Sequence, residues 1–484
     1  MKSLRHSGPR AARAAGHGCA GGEPVNNPVK VRIRDRVALV TLALPPANAL
    51  TPEVRRALVG TMDCVAGDPG VGAAVLLAEG QIFSSGPDIR EGGSGGDGPT
   101  LAEVCARIEA MPVPVVAALQ GLALGGGAEL ALAAHYRLAA PEVRLGFPEI
   151  TLGLVPGAGA TQRLPRAVGA GTALGLLLSG RPVDAETARK SGLLDGVVTG
   201  HLATGAHSYA TALIAEGQGP RPLSGDRSRL VDGEGFLAAV ARARTAAEGT
   251  PGPAAARIVD SVEAALLLPF EAGLAFEAAA RAQCRESPEA VALAHLFLAE
   301  RRISPRLLAS AGHRREVAAP AGQAVVDRLR QALDAALQAL RAEGSPPERI
   351  VHALGLLGVG EAVPSASVAP ETAALARRLT AALMVEGARI VEAREVERAA
   401  DIDVLAIYGL GLARSSGGPM RAAQTMGLLA LKQEMEVWAA TRPELWTPPR
   451  LMLQAIKFAG GFDEVTVRPA ATADAVPETT NAGP

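Results

Sequence analysis

The chain has 484 residues, 48% of them hydrophobic and 20% charged, with a net charge of −1. That is ample material for a large core and gives no electrostatic reason to bind nucleic acid or an anionic membrane surface. Aromatic residues at 3% argue against base-stacking platforms, and the longest apolar stretch, residues 113–134, is broken by Gln120 and Glu129 and makes a poor membrane span.

Residues 1–27 read as a disordered extension; the first 22 are Arg-rich and acid-free, with a transit peptide as the alternative. Two short strands around a turn are expected over 31–44, and an amphipathic helix over 51–67. GAAVLLAEG (72–80) and VPVVAALQG (113–121) read as buried strands, each leading into a loop and a helix, which is an α/β pattern. Between them, EGGSGGDGPT (91–100) is expected to be a mobile loop. After residue 215 the strands disappear: helix follows helix over 254–302, 303–320 form a polar connector, and helical blocks are expected at 321–360 and 371–457. Cys19, Cys64, Cys105 and Cys284 stand far apart, with no C-x-x-C pair and no paired His spacing. Neither a metal site nor a disulfide framework is expected, and a reducing, cytoplasmic location fits.

The segment with most chemical content is residues 122–164. Gly125, Gly126 and Gly127 stand immediately before a helix, AELALAAH, whose N-terminal N–H groups suit a developing anion. Glu129 lies in that first turn, and Glu149 follows 20 residues later, ahead of a second glycine turn, PGAGA. Two carboxylates flanking an anion site suit proton transfer beside a carbonyl, or addition of water. An ordinary helix-dipole glutamate and ordinary α/β glycine turns would give the same spacing.

GGGAELALAAHYRLA and RLGFPEITLGLVPGAGATQRLPRAVG resemble the signature of the crotonase (enoyl-CoA hydratase/isomerase) superfamily, and LPPANALTPE near the start fits it too. The resemblance covers about residues 30–200, and SGRPVDAETARKSGLLDGVV is similar to the hydratase part of multifunctional fatty-acid oxidation enzymes. It implies a crotonase-like ββα superhelix over 28–215. Glu149 would exchange the proton at C2, Glu129 would hold or activate water, and the Gly157 N–H would help place it. Gly126 would be one oxyanion-hole donor, and the position of the other is held by Pro87, which has no N–H. Ser85, Gly86, Asp88, Ile89 and Arg90 would contact the coenzyme A part of the substrate.

The rest of the chain resembles the same multifunctional enzymes: a helical linker over 216–310, then two repeats (321–360 and 371–460) similar to the all-α C-terminal domain of 3-hydroxyacyl-CoA dehydrogenases, and a tail, 461–484. The nucleotide-binding domain expected between linker and repeats has no room here, so no NAD site and no dissociable cofactor are expected. Asp327 stands where the first repeat usually begins with asparagine. GLGLAR (409–414) and GVGEAV do not complete a dinucleotide loop, GGSGG (92–96) has no strong strand before it, and His135 reads as structural. The expected activity is hydration of trans-2-enoyl-CoA, with Δ3-Δ2 isomerisation as a companion. A specialised enolate-forming crotonase and a non-catalytic acyl-CoA-binding or assembly subunit are the alternatives. A thiolase or a second copy of the chain is the expected macromolecular partner.

Overall fold

The structure is a computed structural model and describes residues 27–88, 98–311, 314–316, 319–360 and 368–464. Two compact units divide between Arg285 and Glu286, inside the stretch read as a linker.

The first unit opens with a hairpin, β1 (Val29–Arg34) and β2 (Val37–Leu42), in register from Val29 opposite Leu42. Asp35 and Arg36 join the strands with positive φ at both positions, the turn hand that matches strand twist. There follow α1 (Pro52–Gly67), β3 (Ala73–Ala78), α2 (Leu101–Glu109), β4 (Val115–Leu119), β5 (Leu122–Leu124), α3 (Gly126–Ala133), β6 (Tyr136–Ala139) and β7 (Arg144–Gly146). After a 3-10 turn at Pro148–Leu152 come α4 (Ala160–Val168), α5 (Ala170–Ser179), β8 (Val183–Asp184), α6 (Ala185–Ser191), β9 (Gly196–Val197) and α7 (Leu202–Ala215). Three helices close the unit: α8 (Gly233–Ala247), α9 (Ala254–Leu267) and α10 (Phe270–Arg285).

The main sheet runs β1-β2-β3-β4-β6-β9 and is parallel from β2 onward; a smaller sheet is β5-β7-β8. β3 and β4 are covered on both faces, which is why AAVLLA and VVAAL read as unbroken apolar runs rather than alternating ones. Thr51 caps α1, and Thr100 with Glu103 forms a capping box on α2. His135 is buried: its Nδ1 accepts from Val115 N (2.9 Å) and its Nε2 lies 3.1 Å from Glu109 O, so both ring nitrogens serve the backbone.

In the second unit α11 (Pro288–Arg302) precedes a small antiparallel pair, β10 (Ala309–Ala311) and β11 (Arg314–Glu316), where the sequence suggested only a connector. Then come α12 (Pro320–Ala342), α13 (Pro347–Leu357), α14 (Pro370–Glu392), α15 (Ala399–Leu410), α16 (Pro419–Thr425), α17 (Leu428–Ala439), α18 (Pro443–Trp446) and α19 (Arg450–Phe458). Their core holds Leu383, Met384 and a fully buried Trp446, whose indole N–H donates to Arg378 O at 3.1 Å. GLGLAR overlaps the end of α15, with no strand before it. Asp327 lies on α12 and accepts from Gln323 Nε2 at 2.8 Å.

Cys64 lies on α1, and Cys19 lies outside the described residues. Cys105 and Cys284 are free and buried. Among the described residues no helix is long and apolar enough to cross a membrane, and no cluster of metal-ligating side chains occurs. Ile89, Arg90, GGSGG and both chain ends lie outside the described residues.

Candidate active site

β3 and β4 are adjacent and parallel, so the loop leaving β3 and the β5–α3 segment leaving β4 open at the same edge of the sheet. Asn48 pins the first loop: its Nδ2 donates to Glu79 O and Ile82 O (2.8 and 2.9 Å), and Ser84 Oγ donates to Asn48 O (2.8 Å). Ser84 then bridges Ala123, and Leu124 N–H donates to Ser84 O at 3.0 Å, which lays residues 83–88 against the start of α3. The approach needs glycine: a Cβ on Gly127 would stand 2.5 Å from the Ser84 carbonyl oxygen, and one on Gly86 2.9 Å from Gly126 N.

Gly126 is the first residue of α3, so its N–H has no intrahelical acceptor. The Pro87 ring lies over it, for a Cβ at Gly126 would meet Pro87 Cδ and Leu101 Cδ2, each at 2.5 Å. Neighbouring N–H groups of the loop are committed elsewhere. Phe83 and Ser84 donate to Leu122 O, Ser85 to Ala47 O, and Gly86 to Ser84 Oγ.

α3 is buried all round, so Glu129 has to find partners inside the protein. Its Oε1 accepts from Ala158 N (2.7 Å) and Ala160 N (3.3 Å) in the PGAGA turn. Glu149 sits in the 3-10 turn with Oε1 only 2.9 Å from where a Gly125 Cβ would be, and its buried Oε2 has no hydrogen-bond partner. Burial raises the pKa of both, and for Glu149 the nearby Glu129 charge adds to it, pushing it up to about 8. Two backbone donors favour the carboxylate at Glu129, whereas at Glu149 only its own backbone N–H does so.

The structure thus brings together Gly125, Gly126, Glu129, Glu149, Gly157 and Pro87. It also brings in two residues that sequence reasoning missed. Glu277, on α10, is buried and accepts from Gly159 N (2.7 Å), Thr161 N (2.8 Å) and Thr161 Oγ1 (2.6 Å). Arg281, one turn on, donates to Val155 O at 2.5 Å and fills the space a Gly157 Cβ would take. Both were read as part of a linker; Gly273 and Glu277 share a face at i, i+4, but nothing in the sequence says what that face meets.

Behind the turn, the buried pair Arg163–Glu109 (2.7 Å) anchors α4, and Arg163 Nη1 also donates to Ala158 O (2.8 Å). Arg163→Ala would leave Glu109 buried beside only the Ser224 N–H. We expect it to cost about 3–5 kcal/mol in chemical denaturation.

Glu149 and Glu277 have pKa values raised to about 8 and about 7, above the ~4.3 of a free glutamate. Folding therefore favours their protonated forms. Their stabilisation is full below the unfolded value and lost as pH rises through 7 to 8. We expect unfolding free energy to fall by on the order of a few kcal/mol between pH 5 and 9, with Glu149→Gln flattening the decline.

An α/β unit whose sheet edge carries a glycine-built helix start and two buried glutamates is of the crotonase class. The profile of the Enoyl-CoA hydratase/isomerase family matches residues 32–217. A Bacillus subtilis protein named "Probable enoyl-CoA hydratase" is 42% identical over 175 residues, 35% of this chain and 68% of that protein. The chain belongs to this family. It is also 41% identical over 277 residues to the peroxisomal bifunctional enzyme of Danio rerio, covering 56% of this chain and 37% of that one. It thus spans under two fifths of the length of the bifunctional relatives it matches. Among solved structures, an enoyl-CoA hydratase from Mycobacterium avium aligns with 58% of this chain and 98% of its own at 27% identity, with a TM-score of 0.41.

Proposed function

We propose that the first unit hydrates trans-2-enoyl-CoA thioesters to 3-hydroxyacyl-CoA, and that the contrast between its two glutamates carries the chemistry. Glu129, held by two backbone N–H groups, is the base; Glu149, with an unpartnered buried oxygen, is the acid. Glu129 takes a proton from water as its oxygen bonds to C3. The electron pair of the C2–C3 double bond moves toward the thioester oxygen, and Glu149 delivers its proton to C2. Solvent restores both groups after product leaves. The N–H of Gly126 faces the developing oxyanion, Gly157 helps place the water, and Ser85, Gly86 and Asp88, with Ile89 and Arg90 beyond the described residues, would contact the coenzyme A part of the substrate. Removal and return of a proton at C2 and C4 by Glu149 alone would give Δ3-Δ2 isomerisation.

Coenzyme A arrives with the substrate, and the reaction needs no further cofactor. The second unit is read as a remnant of a dehydrogenase C-terminal domain, without dehydrogenase activity, that docks a thiolase or a second copy. One observation favours a weaker or specialised reaction: Pro87 offers no N–H, and residues 83–86 have theirs committed. Loss of the enoyl-thioester absorbance of crotonyl-CoA tests the proposal. Turnover with formation of 3-hydroxybutyryl-CoA supports it. Tight binding of crotonyl-CoA without turnover would instead favour the binding subunit.

A further inference from the structure

Four consecutive backbone N–H groups at the start of α4 alternate between two carboxylates. Those of Ala158 and Ala160 go to Glu129, and those of Gly159 and Thr161 go to Glu277. One glutamate comes from α3 and the other from α10, beyond the segment that the family profile matches. We infer that Glu277 is a positioning residue of the catalytic centre: it holds the turn that carries the Glu129 contacts and Gly157, and it sets a third carboxyl group beside the glutamate pair. This rests on the proton transfers assigned above to Glu129 and Glu149.

The seat of α10 is built for that contact. Gly273 lets the helix close on Gln162, since a Cβ there would meet Gln162 Oε1 at 2.1 Å. Gln162 is itself fixed by donating to Ser261 O (2.8 Å), and Phe270 lies under the guanidinium groups of Arg163 and Arg166 at 5.2 and 5.0 Å. A buried glutamate accepting three donors, in a helix so placed, does more than cap: it fixes the 159–161 backbone, as the bond from Arg163 Nη1 fixes Ala158 O.

Its charge acts on the same pair. Glu277 disfavours ionisation of Glu149, and Glu129 disfavours that of Glu277, after burial itself. Arg281 on the same helix opposes this at Glu129 and Glu149. Of the other charged groups on packed elements, Arg163 pairs with Glu109, Arg166 stacks on Phe270, and Asp260 and Glu263 of α9 pair with Arg244; Arg257 of α9 also bonds Asp260. Glu277 thus helps keep Glu149 protonated near neutral pH, the state an acid at C2 requires.

The test is Glu277→Gln in the full chain, with Thr161→Val, which removes one donor to Glu277, as a milder second variant. The pH profile of crotonyl-CoA hydration and the pH dependence of denaturation are both measured. Without the Glu277 charge, Glu149 loses its proton at lower pH, so the alkaline limb moves down by a few tenths of a unit and turnover falls about twofold near pH 8 but little near pH 6. KM changes by less than about threefold. A loss equal at every pH, with the limb unmoved, makes Glu277 structural and overturns the inference.

A double-mutant cycle of Glu277→Gln with Glu149→Gln separates this from the activity itself. Denaturation free energies non-additive near pH 9 and additive near pH 5 establish the charge coupling even if the wild type hydrates nothing, in which case the proposed reaction alone fails. Additivity at both pH values rejects the coupling even in an active enzyme.

Discussion

Glu149→Gln is expected to reduce crotonyl-CoA hydration by roughly a thousandfold while making the folded protein more stable at alkaline pH. The amide keeps the shape of the protonated acid, so the close approach to Gly125 survives, but it has no proton to deliver to C2. Because burial and the Glu129 charge hold the wild-type group protonated up to about pH 8, forcing it to ionise costs folding energy that glutamine never incurs. Activity and stability thus move in opposite directions above neutral pH. Steady-state turnover at about pH 7 and denaturation at about pH 9 on the same preparation distinguish a missing acid from a damaged fold. Turnover unchanged by the substitution would sink the assignment of Glu149 as the proton donor.

How much of this the sequence disclosed depends on how local each feature is. The β1–β2 hairpin, α1, β3 and β4 could be read from apolar runs and caps, because period and capping residues lie within a few positions of one another. β8 and β9, of two residues each, carry no period and went unseen. Glu129 and Glu149 stood out only because glycine turns flank them; spacing alone allowed an ordinary helix-dipole role. Glu277 meets its partners across 116 and 118 residues of sequence, and no local pattern encodes a contact of that range. An alanine-rich helix such as FEAGLAFEAAARAQCR shows that it will bury a face, but the face it meets depends on the tertiary arrangement.

Pro87→Ala is expected to accelerate hydration by roughly ten- to a thousandfold, the range spanned by one oxyanion-hole donor at its upper end. The substitution adds an N–H at position 87 without asking for new backbone geometry, since alanine accepts the φ that proline imposes. It cannot be redundant with residues 83–86, whose N–H groups already serve Gln120, Leu122, Ala47 and Ser84. The substitution also removes the ring that lies where a Gly126 Cβ would be, close to the proposed oxyanion-hole donor. A modest stability loss, on the order of 0.4–1 kcal/mol, accompanies it because the unfolded chain gains freedom. Comparing kcat with KM for the two proteins decides what the proline does. A rise in kcat alone means the wild type lacks a transition-state donor. A slower variant with raised KM means that the ring itself packs against substrate, and proline at this position then serves recognition of the acyl group.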